Sequence, residues 1–307
     1  MATTLENLID EVYIGLSGFT LQQDRATHLV SNVSAVASTI DAPIQLTLGS
    51  TDSIGKGVVE IGEELLWIDS YDRIANTANI SPYGRGYSNT TIAAHTRGDK
   101  VTISPTFPRS VIKRAINDTV ASVSSIIYAV KTTTFTYNSP ITTYAFNGLG
   151  INNILRVMWQ EVGPSKEWRN VKRWSFDAYA DSTTFGSNAQ TITIGDPITP
   201  GRTVKVMYAT DTTAFTANTQ DFVTQTGLPA STKDVIVLGA QYRLLAMMDP
   251  ARSTMVSPQA DETDSKRPFG AGQQVVKQLY ALYQQRLKDE TAAQQSNFPA
   301  IVHYARR

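Results

Sequence analysis

The residues from Gly84 to Val130 constrain the fold of this chain most strongly, because strand chemistry changes to helix chemistry within a few residues. Before the change, Val101 and Ile103 alternate with polar neighbours, which predicts a half-buried strand. After Pro108, apolar residues recur at spacings of three and four, which predicts an amphipathic helix of about twenty residues. Pro108 suits the first turn of that helix, where a missing N–H costs nothing.

Three further helices are predicted from apolar residues at helical spacing and from capping residues. The third helix in chain order is apolar nearly all round, so we expect it to lie among other helices. The four predicted helices are Thr4–Gly15, Arg109–Val130, Thr232–Met248 and Gln273–Thr291.

Two segments between these helices are predicted to be β-rich, at about residues 20–107 and 131–228. Each has short runs rich in β-branched and aromatic residues, separated by clusters of Gly, Pro, Asn and Asp. In the first segment Glu60, Glu63 and Glu64 surround a predicted tight hairpin turn, and we expect solvated carboxylates there rather than a glycosidase pair. The second segment predicts a small sandwich or barrel.

The order helix, β segment, helix, β segment, helix, helix predicts an α+β fold with one four-helix bundle and two β-rich, barrel- or sandwich-like insertions. The third helix favours the bundle, because a helix this apolar needs packing partners on several sides. The predicted domains are a bundle of residues 1–19, 108–130 and 229–296, a first β insertion at 20–107, a second at 131–228, and an extended C-terminal arm at 297–307.

The composition argues against several kinds of site and partner. Cysteine is absent, which excludes disulfides, thiolate chemistry and cysteine-ligated metals. The 27 Lys and Arg residues balance 27 Asp and Glu residues, which argues against a dedicated electrostatic nucleic-acid binder. Neither membrane insertion nor secretion by a signal peptide is predicted, since no long apolar run and no basic-then-apolar leader occur.

No arrangement of residues in the sequence indicates catalysis or metal binding. His28, His95 and His303 are far apart, and none has the spacing of a metal-ligand pair. Gly84 and Gly86 match no phosphate-binding fingerprint, so we expect them to serve a turn that needs positive φ. The sequence therefore predicts a protein that is not an enzyme and has no cofactor or metal.

Aromatic residues of the second β segment leave two interpretations open. Trp159, Trp168 and Trp174, together with Tyr179, could form a platform on which a sugar stacks. Such residues more often fill the core of a sandwich or a subunit interface.

The last residues of the chain carry apolar groups at an end, where order normally requires a partner. They either fold back on the same chain or dock on another protein, and the two final arginines offer bidentate contacts to carboxylates. The candidate docking residues are Phe298, Ile301, Val302, Tyr304, Arg306 and Arg307.

The segment Gly84–Val130 resembles head-to-tail connector (adaptor, or neck) proteins of tailed bacteriophages. The features that carry this resemblance are the glycine turn, the sequence Ala93-Ala94-His95, the strand, and the Pro-x-Phe-x-Arg step into a helix. The resemblance implies a helical bundle that assembles into a ring, typically a dodecamer, beneath the portal, with a C-terminal tail docked on the portal protein.

The same resemblance implies a structural protein of the virion neck, present in the host cytoplasm during assembly. Its partners would be the portal protein, a tail-side neck or tail terminator protein, and other copies of itself, with no membrane involved. Genomic DNA would pass through the ring without specific binding, which suits a chain of balanced charge.

Two other classes of protein remain open at this point. One is another virion structural protein of the tail, the baseplate or a fibre attachment, which is favoured if the β segments make the oligomer. The other is a virion carbohydrate-binding or hydrolytic module, which is favoured if the tryptophan-rich segment binds glycans.

Overall fold

A computed structural model describes residues 3–18, 24–138, 140–163, 166–253 and 271–298 of the chain. Within these residues thirteen strands form three separate antiparallel sheets. The helices are α1 (Leu5–Ser17), α2 (Arg109–Val123), α3 (Ser182–Phe185), α4 (Phe222–Thr226), α5 (Lys233–Ser253) and α6 (Ala271–Asn297). The strands are β1 (Arg25–His28), β2 (Gln45–Thr47), β3 (Gly57–Ile61), β4 (Glu64–Asp72), β5 (Thr77–Ile80), β6 (Lys100–Ile103), β7 (Ala129–Thr136), β8 (Thr143–Asn147), β9 (Asn153–Gln160), β10 (Trp168–Asn170), β11 (Trp174–Asp177), β12 (Ala189–Ile194) and β13 (Thr203–Thr210).

The chain divides into two compact units, each made of several stretches of sequence. The first, which we call the closed-sheet unit, comprises Glu6–Ile116 and Val237–Leu279. The second, the sandwich unit, comprises Met1–Leu5, Asn117–Ile236 and Tyr280–Arg307.

A six-stranded sheet in the order β1-β6-β3-β4-β5-β2 forms the closed-sheet unit, and its two outer strands meet. Leu29 and Leu48, which follow β1 and β2, form an antiparallel bridge. Beside this bridge the Val30 N–H donates to the Thr47 carbonyl at 2.9 Å, and the Gly49 N–H donates to the His28 carbonyl at 3.0 Å. The sheet therefore closes on itself, which satisfies backbone groups that an open edge would expose.

Alternation along these strands places one set of side chains inside the closed sheet. Each fully buried aliphatic side chain contributes about 1.5 to 3 kcal/mol relative to an exposed one. The buried apolar cluster consists of Leu29, Val33, Leu46, Leu48, Ile54, Val59, Ile61, Leu66, Ile68, Ala78, Ile80, Val101 and Ile103.

Helices α1 and α5 approach each other closely within the closed-sheet unit. Gly15 lies inside α1, where a Cβ atom would come within 2.0 Å of Nε2 of Gln241 in α5. Gly15 is thus a packing residue, whereas the sequence alone predicted that the helix ends there. Helix α1 continues to Ser17.

The sandwich unit contains a four-stranded sheet, β10-β9-β13-β7, and a three-stranded sheet, β11-β12-β8. Both sheets contribute to a single apolar cluster, as expected for two layers packed face to face. The members of this cluster are Tyr137, Phe146, Ile151, Ile154, Val157, Val171, Ile192, Ile194, Ile198, Val204, Val206 and Tyr208.

The predicted four-helix bundle is wrong. The apolar clusters described above are built by strands, and the helix predicted to continue to Val130 ends at Val123. The N–H groups of Ile126 and Ile127 both turn back to the Val123 carbonyl at 2.9 Å, and β7 begins at Ala129. Helical spacing of apolar residues shows that one face of a helix is buried, but it does not show whether helices or strands cover that face.

Candidate functional site

The segment Gly84–His95 folds around the buried carboxylate of Glu64, the first residue of β4. Glu64 is 1% exposed, and both Arg85 and His95 are buried beside it. The Arg85 guanidinium is bidentate, with Nε 2.5 Å from Oε1 and Nη2 2.7 Å from Oε2. Nε2 of His95 lies 2.7 Å from Oε2. Bidentate arginine–carboxylate pairs are among the strongest side-chain contacts in proteins.

Backbone groups complete the coordination of this ion pair. The N–H groups of Gly86 and Ala93 donate to the two Glu64 oxygens, each at 3.1 Å. Arg85 in turn donates to the carbonyl of Ser34 at 3.0 Å and to that of Ala93 at 2.6 Å. Glu64 and Arg85 therefore tie β4, the segment 84–95 and the segment around Ser34 together.

The protonation of Glu64 reflects these contacts. Burial alone would raise its pKa, but the hydrogen bonds from Arg85, His95 and Ala93 outweigh burial and lower the pKa to about 2. Glu64 is therefore ionised at neutral pH, and its charge is compensated by contacts inside the protein.

Gly84 and Gly86 allow the backbone to pass this cluster for two different reasons. Gly86 has φ 64°, as a turn with positive φ was expected to require. Gly84 is needed for space instead, because a Cβ atom there would lie 2.9 Å from the carbonyl oxygens of both Ser81 and Trp67.

Aromatic side chains of β4 and of residues 83–87 reach solvent close to this cluster. The rings of Trp67 and Tyr87 lie 5.2 Å apart between centroids, and 38% and 39% of these residues are exposed. Tyr83, 72% exposed, lies in the chain segment that the buried ion pair holds. These aromatic groups therefore lie at the surface, whereas the carboxylate of Glu64 is buried.

A second buried carboxylate, Glu60 of β3, lies at the start of α2. It is 5% exposed and accepts the backbone N–H of Arg109 at 2.5 Å. The Arg109 guanidinium points elsewhere, with Nη1 2.7 Å from Oδ1 of Asp10 in α1. An acidic group at a helix N-terminus satisfies a backbone N–H that has no partner within the helix.

Among the residues that the structure describes, no cation forms an ion pair with Glu60, in contrast to Glu64. Burial raises its pKa to about 7, although the N–H and the positive charge of Arg109 act in the opposite direction. Nearby, Oη of Tyr13 donates to Oδ2 of Asp24 at 3.0 Å, and burial together with this bond raises the pKa of Tyr13 to about 12.

The expected solvated acids at the β3–β4 hairpin are therefore only partly found. The hairpin itself is present, with Ile61 paired to Glu64. Glu63 is half-buried and pairs with Nζ of Lys113 at 3.0 Å. Glu60 and Glu64 are both buried but lie on opposite faces of the sheet. Glu64 shares the inner face with Ile61, whereas Glu60 lies on the other face and contacts the start of α2.

The aromatic residues of the second β segment do not form one platform. Trp168 of β10 pairs with Gln160 and so lies on the opposite sheet face from the adjacent Trp159. Trp159 and Trp174 pack against the sandwich cluster, while Nζ of Lys205 lies 4.6 Å from the centroid of the Trp168 ring.

Tyr179 stands apart from these residues. It is 95% exposed and lines an open cleft of about 570 Å³ with Gly148, Gly150 and Gln190. The side chain of Gln190 is already bonded to the backbone of Ile151, at 2.8 Å to the N–H and 2.7 Å to the carbonyl.

Of the six candidate docking residues, the structure describes only Phe298, which is half-buried and directly follows α6. Its N–H donates to the carbonyl of Gln294 at 2.9 Å. Ile301, Val302, Tyr304, Arg306 and Arg307 lie outside the described residues.

The end of α6 is held on the sandwich unit by two buried polar side chains. Glu290 accepts from Oγ of Ser231 at 2.7 Å. Gln294 bonds both backbone groups of Tyr128, accepting from the N–H at 3.3 Å and donating to the carbonyl at 2.7 Å. The position from which the chain continues past Phe298 is thereby set.

In the part of the chain that the structure describes, no cluster of His, Cys, Asp or Glu side chains could hold a metal ion. None of the described helices is both long and apolar enough to cross a membrane. No protein-family model matches the chain, and no curated protein is significantly similar to it.

The sequence did not reveal the Glu64–Arg85–His95 cluster as a unit. Arg85 between two glycines was visible, but its partner lies 21 residues earlier on another strand. The one available signal was an arginine and a histidine in a segment whose other residues are small or uncharged.

We expect Arg85→Met to destabilise the closed-sheet unit by about 3 to 5 kcal/mol, because it leaves the Glu64 charge buried without its partner. Urea denaturation of the full chain measures this loss. Arg97→Met is the matched control, since Arg97 lies exposed a few residues along the same stretch and should change stability by less than about 0.5 kcal/mol. Equal midpoints for the two variants would contradict a central role for the ion pair.

We expect Glu60→Gln to remove a loss of stability that the parent protein shows as pH rises. Folded Glu60 has a pKa of about 7, above the ordinary value of 4.5, so the folded state holds its proton more tightly. The parent should therefore be as stable as the variant below pH 4.5 and lose about 3 kcal/mol relative to it between pH 4.5 and 8. Urea midpoints measured across this range give the comparison, and parallel curves would rule the effect out.

Proposed function

We propose that the protein is a virion structural protein, a head-to-tail adaptor whose ring joins the portal to the tail and lines the channel for DNA. The observation that carries the proposal is the structure of the segment Gly84–Val130. Arg85 and His95 of this segment contact the buried Glu64 inside the closed-sheet unit, and the ring of Tyr87 is part-exposed beside Trp67. Such a segment is rigid, which suits a structural role in an assembly better than a catalytic role.

The start of α2 supports the same role. Arg109 holds the first turn of α2 to the closed-sheet unit, through its backbone contact with Glu60 and its ion pair with Asp10. A subunit that carries load between head and tail requires helices held in this way at their ends. The balanced charge of the chain also suits a channel through which DNA slides.

The proposed docking arm begins at Phe298 and includes Ile301, Val302, Tyr304, Arg306 and Arg307. Its apolar residues would enter apolar pockets of the portal protein, and its arginines would pair with carboxylates. Gln294 and Glu290 support this proposal because they hold the end of α6, so the arm starts from a rigid point.

A second candidate is a structural protein of the tail, baseplate or fibre attachment. The three sheets of the described residues favour it, since a subunit built around sheets forms its oligomer through different surfaces from a helical bundle. A carbohydrate-binding module has less support, because the tryptophans do not lie together and only Tyr179 stands free in the cleft.

Antibody labelling of whole particles, viewed by electron microscopy, separates these candidates. The adaptor proposal predicts label at the neck and a ring with a central channel for the purified protein. Label at the baseplate or along the tail would replace it with the second candidate.

Deleting Phe298–Arg307 should abolish attachment of the protein to portal-bearing heads and leave the melting transition nearly unchanged. The contacts of Glu290 and Gln294 that anchor α6 all lie before the deletion. A variant of full length with these ten positions replaced by Gly and Ser should behave in the same way. Retained attachment with unchanged salt resistance would show that the arm does not dock.

A further inference from the structure

Strand β7 is an open edge of the four-stranded sheet. Among the described strands it pairs only with β13, in continuous register from Ala129↔Thr210 to Thr136↔Thr203. One residue further on, the N–H of Tyr137 donates to the Arg202 carbonyl at 2.8 Å. Because backbone groups of an antiparallel strand alternate in direction, the odd-numbered residues face β13 and the even-numbered residues face away from the sheet.

Side chains close this outward edge at both ends. At one end Gln294 bonds the N–H and the carbonyl of Tyr128. At the other end Oη of Tyr144 accepts from the N–H of Asn138 at 2.7 Å and donates to its carbonyl at 3.1 Å. Both bonded residues are even-numbered, which agrees with the alternation.

Between these ends lies a slot of four outward-facing residues, Val130, Thr132, Thr134 and Thr136. Among the described residues, none donates to or accepts from their outward N–H and C=O groups. The strand has no proline, and its pairing with β13 has no bulge. Prolines and bulges are among the features that normally prevent a long edge strand from pairing with another chain. Since β7 has neither, its edge can pair with another strand.

We propose that the slot is occupied by β7 of a second copy of the chain, running antiparallel about a two-fold axis at Thr133. This register pairs Val130 with Thr136 and Thr132 with Thr134 of the second copy, in both directions. Each of these pairs exchanges two hydrogen bonds, so all four outward residues are satisfied. A shift to either side loses pairs, because Gln294 and Tyr144 already occupy the flanking positions.

The charges of the strand fit the same register. Lys131 is the one charged residue of β7, and it lies opposite Phe135 of the second copy, whose ring its aliphatic stem can cover. The two lysines are four residues apart along the ribbon, about 13 Å, which exceeds the screening length of about 10 Å at 0.1 M salt. A register centred on Lys131 would instead place the two like charges directly opposite.

This pairing goes beyond the proposed function and does not depend on it. The contact uses the same surface on both copies, so it closes at two copies and cannot join successive neighbours around one ring. It therefore describes a dimer of the free protein that covers a strand edge before assembly.

The absence of cysteine gives a clean test by single-cysteine cross-linking. In Thr133→Cys the two thiols lie on the axis, with Cα atoms about 4.5 Å apart, a separation that a disulfide spans. Under mild oxidation we expect a cross-linked dimer on a non-reducing gel. Thr136→Cys is the matched control on the same strand, because its two copies would be about 20 Å apart and should not cross-link.

A proline variant distinguishes strand pairing from chance collision. Thr134→Pro removes one outward N–H and no bond to β13, so it should keep the melting transition and convert the dimer to monomer in sedimentation velocity. The double variant Thr133→Cys with Thr134→Pro should cross-link at least tenfold less than Thr133→Cys. The proposal would be overturned if the double variant cross-linked as much as Thr133→Cys, or if Thr136→Cys did. A Thr133→Cys variant that stays monomeric would also overturn the proposal. If, in that case, Thr134→Pro blocked incorporation into particles, the slot would accept a strand of another virion protein.

Discussion

The ion pair between Glu64 and Arg85 is the interaction on which the closed-sheet unit depends most. A carboxylate without solvent is costly unless it is paired and fully hydrogen-bonded, and Glu64 meets both conditions through side-chain and backbone donors. Because those donors come from residues 85–95, the long connection after β5 has a defined path. The exposed Tyr87 owes its position beside Trp67 of β4 to this path.

Two buried glutamates four residues apart in sequence thus have opposite properties. Glu64 has a bidentate cation, and its pKa lies at about 2, whereas Glu60 has a single backbone donor, and its pKa lies at about 7. The difference follows from the partner and not from depth, since both side chains are buried. Glu60 contacts the start of α2, and Glu64 binds the loop of residues 85–95.

Local sequence patterns predicted the local structure better than the tertiary arrangement. The β3–β4 hairpin and the starts of α2 and α5 follow from turn residues, proline and capping signals close in sequence. The arrangement of the helices does not follow, because an apolar helix such as α5 can be buried by strands as well as by helices. The cluster at Glu64 could not be predicted, since it joins residues up to 31 positions apart and every member has a plausible exposed role. The docking role of the residues beyond Phe298 stays a prediction from the sequence.

The division of the chain between its two units has a consequence for the order in which they fold during synthesis. All strands of the closed sheet lie between Arg25 and Ile103, so this sheet can form soon after that stretch leaves the ribosome. Both units also take residues from the late part of the chain, and the sandwich unit in addition joins the two ends of the chain to its middle. The Phe222 N–H donates to the Thr3 carbonyl at 2.7 Å, and Gln294 binds the backbone of Tyr128. The contacts of the sandwich unit are complete only after α6 has been synthesised. In each nascent chain the closed sheet can therefore form before the sandwich unit has all of its contacts.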